Sequence, residues 1–213
     1  MTFHDLRPMP GQQGGAGLYS LPLLRLAADS AEYPRIDSPH ATAERRSPVC
    51  GSRVAVDLAL TSDTLIDAIG GEIRACALGQ ASATLLFRHA TGRTPAQLAT
   101  ARDQLAAWLS GEGPPPDWPG IGVLAPARAT PARHASILLP FAAAAEAAFA
   151  AAAEAAAHAA LSAWLGGEGP QPDWPGIDAL APARATPARH ASMLLPFAAA
   201  AEAAVTASRR HAA

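Results

Sequence analysis

The chain has 213 residues, half of them apolar, and a formal net charge of −2, with arginine as its only long basic residue. That suffices for one ordinary domain with a real core plus an appendage. A near-neutral balance gives no electrostatic basis for binding nucleic acid or an anionic membrane. The first thirty residues lack a basic start followed by an apolar run, and Arg25 interrupts Leu18–Ala28. A reducing cytoplasm is therefore the expected compartment, and a disulfide between the two cysteines, Cys50 and Cys76, is not expected.

In chain order, a strand is plausible near Ala41–Pro48, and Ser52–Leu60 alternates with Val54, Val56, Leu58 and Leu60 on one face and Arg53 and Asp57 on the other, a half-buried strand. Thr61–Asp63 supplies a turn, and Leu65–Ile69 with Ile73–Cys76 predicts a return strand broken at Gly70-Gly71 by a bend or bulge. Cys50 thus falls in a strand-to-strand connection and Cys76 at a strand end. The period then changes: Leu78, Ala81, Leu85 and His89 predict a helix closing near Gly92. Thr94-Pro95-Ala96-Gln97 is a capping box with proline at the first helical position, and Leu98, Ala101, Leu105 and Leu109 carry the stripe onward. A Pro-rich loop over 113–120 ends that helix. A last helix is expected over about 134–165, with Pro140 as a place for a kink. Strands followed by helices predict an α+β fold: a small antiparallel three-stranded sheet with helices packed on one side, plus a helical C-terminal extension. The almost continuously apolar stretch Leu138–Leu165 is mostly alanine and is interrupted by Glu146, Glu154 and His158, so it predicts a soluble helix rather than a membrane span.

The strongest pattern is a duplication. Leu105–Ala148 is written again as Leu161–Ala204 with six differences over 44 positions, while residues before about 104 have no second version. Two units are too few for a solenoid. The expected organisation is a flexible segment over 1–17, a domain over 18–158, and a partial repeat of its last helical segment over 159–213. The repeated helix, Ala188–Ala207, carries nearly the docking surface of 132–151, so either copy can pack on the sheet, with a homodimer formed by swapping as one outcome. Trp118 and Trp174, in Pro-flanked loops, are expected to anchor those loops. No phosphate loop or Ser-His-Asp context is present.

Several short runs together resemble the iron–sulfur cluster assembly scaffolds of the IscU/SufU/NifU N-terminal family. Pro48-Val-Cys50-Gly51-Ser52 is similar to that family's Pro-x-Cys-Gly-Asp loop, Cys76 with Ala81-Ser82 to its second cysteine motif, and Arg133-His134-Ala135-Ser136 to its basic residue followed by Cys. Glu32–Arg35 is similar to its N-terminal Asn-Pro-Arg. The resemblance covers residues from about Leu18 to Ala148. It departs at two ligands: Ser52 stands for the aspartate, and the third cysteine is replaced by His134, Ala135 or Ser136 depending on register, with Ala135 the best match. The second copy, His190-Ala191-Ser192-Met193-Leu194, also lacks the cysteine.

The resemblance implies a non-enzymatic scaffold that binds an iron–sulfur cluster, iron or zinc through Cys50 and Cys76, with His134 as a third ligand, thiolate and imidazole being suited to such metals. It further implies sulfur supply by a cysteine desulfurase and delivery to cluster-accepting proteins. Two alternatives stay open: a sulfur acceptor similar to SufE, which needs only a nucleophilic thiolate, and a relative that keeps the fold as an interaction or regulatory module without metal. By itself a cysteine is most often a small buried hydrophobe, and a histidine at a helix start is most often polar surface.

Overall fold

The computed structural model describes residues 17–48 and 51–195. Its elements run in the order α1 (Leu21–Asp29), β1 (Ala41–Arg46), β2 (Arg53–Leu60), β3 (Ile66–Arg74), α2 (Ala77–Ala90), α3 (Pro95–Ser110) and α4 (His134–Gly166), with 3-10 segments at Ser30–Glu32, Ile121–Ala129, Pro131–Arg133, Ile177–Ala185 and Pro187–Arg189. The sheet is antiparallel with β2 in the centre. This is the expected α+β layout.

Each element follows from local chemistry. Thr94 and Gln97 close the capping box on α3: Gln97 N donates to Thr94 Oγ1 (3.2 Å), and Thr94 N to Gln97 Oε1 (2.8 Å). Helix α2 starts directly after Cys76 because the strand's alternation ends at Arg74 and apolar residues then recur at helical spacing. The core joins Val54, Val56 and Leu58 of β2 to Leu78, Leu85 and Leu86 of α2, Leu98 and Leu105 of α3, and Ile137 and Phe141 of α4. The N-terminal half of α4 lies against β1, β2, α2 and α3. The Pro-rich loop is fastened by Trp118, whose Nε1 donates to Leu85 O (2.8 Å) and whose ring meets Phe141 edge-on and lies under the Arg93 guanidinium.

The sequence reading is corrected at two places on the sheet. β3 runs unbroken through Gly70 and Gly71, which pair with Asp57 and Val56, and the register shift lies instead at Ala59/Leu60. The glycines are there for close approach: a Cβ on Gly70 would stand 2.1 Å from Pro34 O, and one on Gly71 2.2 Å from Ala55 O. The Tyr33–Arg35 run can therefore lie across the strand, where Gly71 N donates to Tyr33 O (3.1 Å). The second correction is Asp57, expected on a polar face but fully buried. Arg35 crosses to it from that same run, donating from Nη2 to Oδ1 (2.7 Å) and from Nε to Oδ2, and Thr42 Oγ1 donates to it as well. That carboxylate holds the Arg35 guanidinium above its ordinary range through hydrogen bonding, against the opposing pull of burial.

Helix α4 is the one helix among the described residues long and apolar enough by length and composition to cross a membrane, and most of that stretch is buried within the fold. It joins the two copies without a break: Leu161, Trp164 and Leu165 at its end form a small second cluster with Ile177, against which Trp174, Met193 and Leu194 pack. The second copy rebuilds the local contacts of the first. Arg128 Nε donates to Trp108 O (2.8 Å), and Arg184 Nε to Trp164 O (2.9 Å). It is the first copy that is seated on the sheet. Leu139 is 7% exposed, whereas its counterpart Leu195 is 63% exposed. Of the expected repeated helix Ala188–Ala207, residues 196–207 lie outside the described residues.

Candidate functional site

Three chain segments meet at one end of the sheet. The hairpin between β1 and β2 is closed by Ser47 N donating to Ser52 O (2.8 Å), which delivers Gly51 and Ser52. The strand-to-helix turn after β3 delivers Cys76 as the N-cap of α2, with an extended backbone and no side-chain capping bond, so its sulfur is free to face elsewhere. The first turn of α4 delivers Ser136.

Their side chains form a short chain of contacts. Cys76 Sγ lies 3.3 Å from Ser136 Oγ, and Ser136 Oγ lies 3.3 Å from Ser52 Oγ. Both serines are buried, and Cys76 is half-buried. Cys76, Ser52 and Gly51 line a cleft of about 360 Å³ completed by Arg74, Ala75, Gln80 and Arg133. Among the described residues, two arginines and one cysteine line this opening and no carboxylate does. The N-terminal ends of α2 and α4 both open toward this point, adding their positive partial charge to the arginines.

Ser136 reaches Cys76 because of Gly79. A Cβ at Gly79 would lie 2.6 Å from Ser136 Oγ and 3.0 Å from Ser136 O, so only glycine lets the first turn of α4 approach the first turn of α2 this closely. Ser82 then clips the two helices, donating from Oγ to Ile137 O (2.6 Å) in the fully buried interface. Gly79→Ala is expected to cost about 1–3 kcal/mol by overpacking. It should also push Ser136 away from the thiol, raising the rate at which Cys76 is alkylated by iodoacetamide under native conditions. An unchanged melting temperature together with an unchanged alkylation rate would show that the glycine plays no part in setting the site.

The residues singled out from sequence divide as follows. Cys76 lines the cleft. Cys50 lies outside the described residues, while the next two residues, Gly51 and Ser52, are in the cleft wall. His134 does not line the cleft: its Nε2 is engaged with Ala127 O at 3.1 Å, closing the preceding 3-10 segment. His190 repeats that bond to Ala183 O at 3.2 Å in a copy with no cysteine beside it, which marks the contact as local architecture. Of the three registers for the missing third cysteine, Ser136 is the residue that touches Cys76, in place of the preferred Ala135. Among the described residues no three His, Cys, Asp or Glu side chains gather at one point. Arg133 is the basic residue of the third motif, three before Ser136, whereas Arg74 and Gln80 carry a positional signal only, each within four residues of Cys76.

No family model and no curated protein matches this chain. Solved structures do. The fold is similar to a putative iron–sulfur cluster assembly scaffold protein for the SUF system from thermophilic Fervidobacterium islandicum AW-1, at 19% identity and a TM-score of 0.57, covering 62% of this chain and 96% of that one. It is also similar to the N-terminal part of a nitrogen-fixing NifU-like protein from Brucella abortus, at a TM-score of 0.59, covering 64% of this chain and 96% of that one. With 33% of residues identical over nearly the whole of that second relative, the chain belongs to the IscU/SufU/NifU type of iron–sulfur cluster assembly scaffolds, as a NifU-like N-terminal domain.

Proposed function

We propose that this protein serves iron–sulfur cluster assembly as a sulfur acceptor, carrying persulfide sulfur on Cys76 rather than cradling a complete cluster. The observation that carries this reading is the contact of Cys76 Sγ with a serine hydroxyl, itself paired with a second serine, where the family resemblance places a thiolate and a carboxylate. Neutral hydroxyls are poor ligands for iron or zinc, and His134 does not line the cleft. One thiol on an open cationic cleft is enough for sulfur transfer.

The step needs a persulfide donor of the kind a cysteine desulfurase provides. The Cys76 thiolate attacks the outer sulfur of R–S–SH; the donor S–S bond breaks and its electron pair leaves on R–S⁻. A new S–S bond forms, giving Cys76–S–SH, and the outer sulfur keeps its proton. No net oxidation occurs, so no further reactant is required. The Ser136 hydroxyl, backed by Ser52, can donate a hydrogen bond to the Cys76 thiolate before transfer. The protein is a stoichiometric carrier, and iron is cargo acquired later with a cluster-accepting protein.

Incubating the reduced protein with a cysteine desulfurase and cysteine, then mapping persulfides by mass spectrometry after alkylation, tests this. Sulfur is expected on Cys76 in the peptide Ala75–Arg88, and Cys76→Ser should abolish that signal. Anaerobic reconstitution with iron and sulfide that yields a stable chromophore in the native chain, with no persulfide on Cys76, would sink the reading in favour of cluster holding.

A further inference from the structure

We infer that Arg133 selects anionic sulfur donors, binding the negative end of a persulfide whose outer sulfur Cys76 accepts. This rests on the acceptor reading above and adds the chemical class of the donor. Arg133 stands immediately before α4, three residues from Ser136, and its side chain lines the same cleft as Cys76. It has no ion-pair partner among the described residues. The other cleft arginine is already engaged, since Arg74 Nε pairs with Glu72 Oε1 at 2.6 Å. Glu72 is shared with Arg53, Nη2 to Oε2 at 3.4 Å. Arg133 is therefore the guanidinium whose charge is left for a ligand.

The transfer chemistry gives that charge something to do. As the S–S bond of the donor breaks, negative charge moves onto the departing sulfur, and a thiol donor bearing carboxylates brings further negative charge beside it. A guanidinium at the cleft wall favours both, through long-range attraction and through a paired hydrogen bond to a carboxylate. Glutathione persulfide and inorganic polysulfide fit this class; cysteamine persulfide, with an ammonium in place of carboxylates, does not. With polysulfide the atoms balance in the same way: Cys76–S⁻ and HS–S₃⁻ give Cys76–S–SH and S₃²⁻.

The duplication supplies an internal control. Arg189 occupies the corresponding position within Pro187-Ala-Arg-His190, is exposed, and has no cysteine beside it. Its substitution changes net charge identically without touching the cleft.

The test follows persulfide formation on Cys76 in the full chain with glutathione persulfide and with cysteamine persulfide at equal concentrations. The native protein is expected to prefer the anionic donor by about tenfold, as one nearby charge at a partly solvated site allows. Arg133→Gln should bring that ratio close to one, high salt should do the same to the native chain, Arg133→Lys should retain part of it, and Arg189→Gln should leave it unchanged. Modification of Cys76 at an equal donor ratio in the native chain and Arg133→Gln would overturn the role of Arg133 while leaving the acceptor reading intact. Failure of every donor, polysulfide included, to modify Cys76 would overturn both.

Discussion

Substituting Ser136→Cys together with Ser52→Asp is expected to make this protein hold about one zinc or ferrous ion per chain far more tightly than the native chain does. The geometry prepares it: both hydroxyls are buried, Ser136 Oγ is 3.3 Å from the Cys76 sulfur, and Ser52 is 3.3 Å further along the same chain of contacts. The change replaces two neutral hydroxyls with a thiolate and a carboxylate, donors matched to divalent metals. Complete structural zinc sites contribute roughly 10–16 kcal/mol of apparent binding. A gain of even about 4 kcal/mol from the two new ligands tightens binding on the order of a thousandfold. Competition with a chromogenic chelator measures this directly. Metal should also protect Cys76 from alkylation, which links the bound ion to this cleft. Ser192→Cys adds the same thiol to the exposed second copy and should change nothing. A double variant that holds no more metal than the native chain, or a Ser192→Cys chain that gains as much, would show that Ser136 and Ser52 do not stand at ligand positions.

The reason the sequence offered Ser136 as one of three registers and favoured Ala135 is a matter of helical phase. Three consecutive residues, His134, Ala135 and Ser136, compete for one position, and each step turns the side chain about a third of the way around the axis. A motif alignment cannot choose among them. The choice is made by Gly79, fifty-seven positions earlier, whose missing Cβ leaves space for one of the three. His134 misled for a related reason, since its partner, Ala127 O, belongs to an irregular 3-10 segment with no periodic signature. Elements written in local chemistry were legible: the Thr94–Gln97 capping box, the alternation of β2 with Leu58 and Val56 inward, and the helix that follows Cys76. What depended on a segment arriving from elsewhere was not. The Gly70-Gly71 pair is as consistent with a bend as with a crossing chain until that chain is seen.

Asp57 is the sharpest case, and it yields the largest expected loss of stability. The carboxylate is fully buried and takes a paired approach from Arg35, whose side chain is 22% exposed, with Thr42 as a third donor. Burying an ion costs several kcal/mol, so the intact pair contributes little net stability, whereas removing one partner strands the other. Arg35→Ala is therefore expected to cost about 3–5 kcal/mol, leaving Asp57 uncompensated in the sheet. For a chain of this size that is a fall in melting temperature on the order of 10 °C, read by calorimetry. Asp57→Ala should cost a similar amount because the guanidinium is then left against an apolar strand. The double variant Arg35→Met, Asp57→Leu removes both charges and keeps apolar volume, so it should recover most of the loss, giving a large coupling in the double-mutant cycle. The effect should also reach the cleft. Arg35 belongs to the run that Gly71 holds across β3, and β3 ends two residues before Cys76. Release of that run loosens the strand that aims the thiol, so alkylation of Cys76 should quicken in Arg35→Ala below its melting transition and return toward the native rate in the double variant. Loss of less than about 1 kcal/mol in either single variant, the range of an exposed ion pair, would mean the carboxylate is solvated and the crossing run is not what anchors this edge of the site.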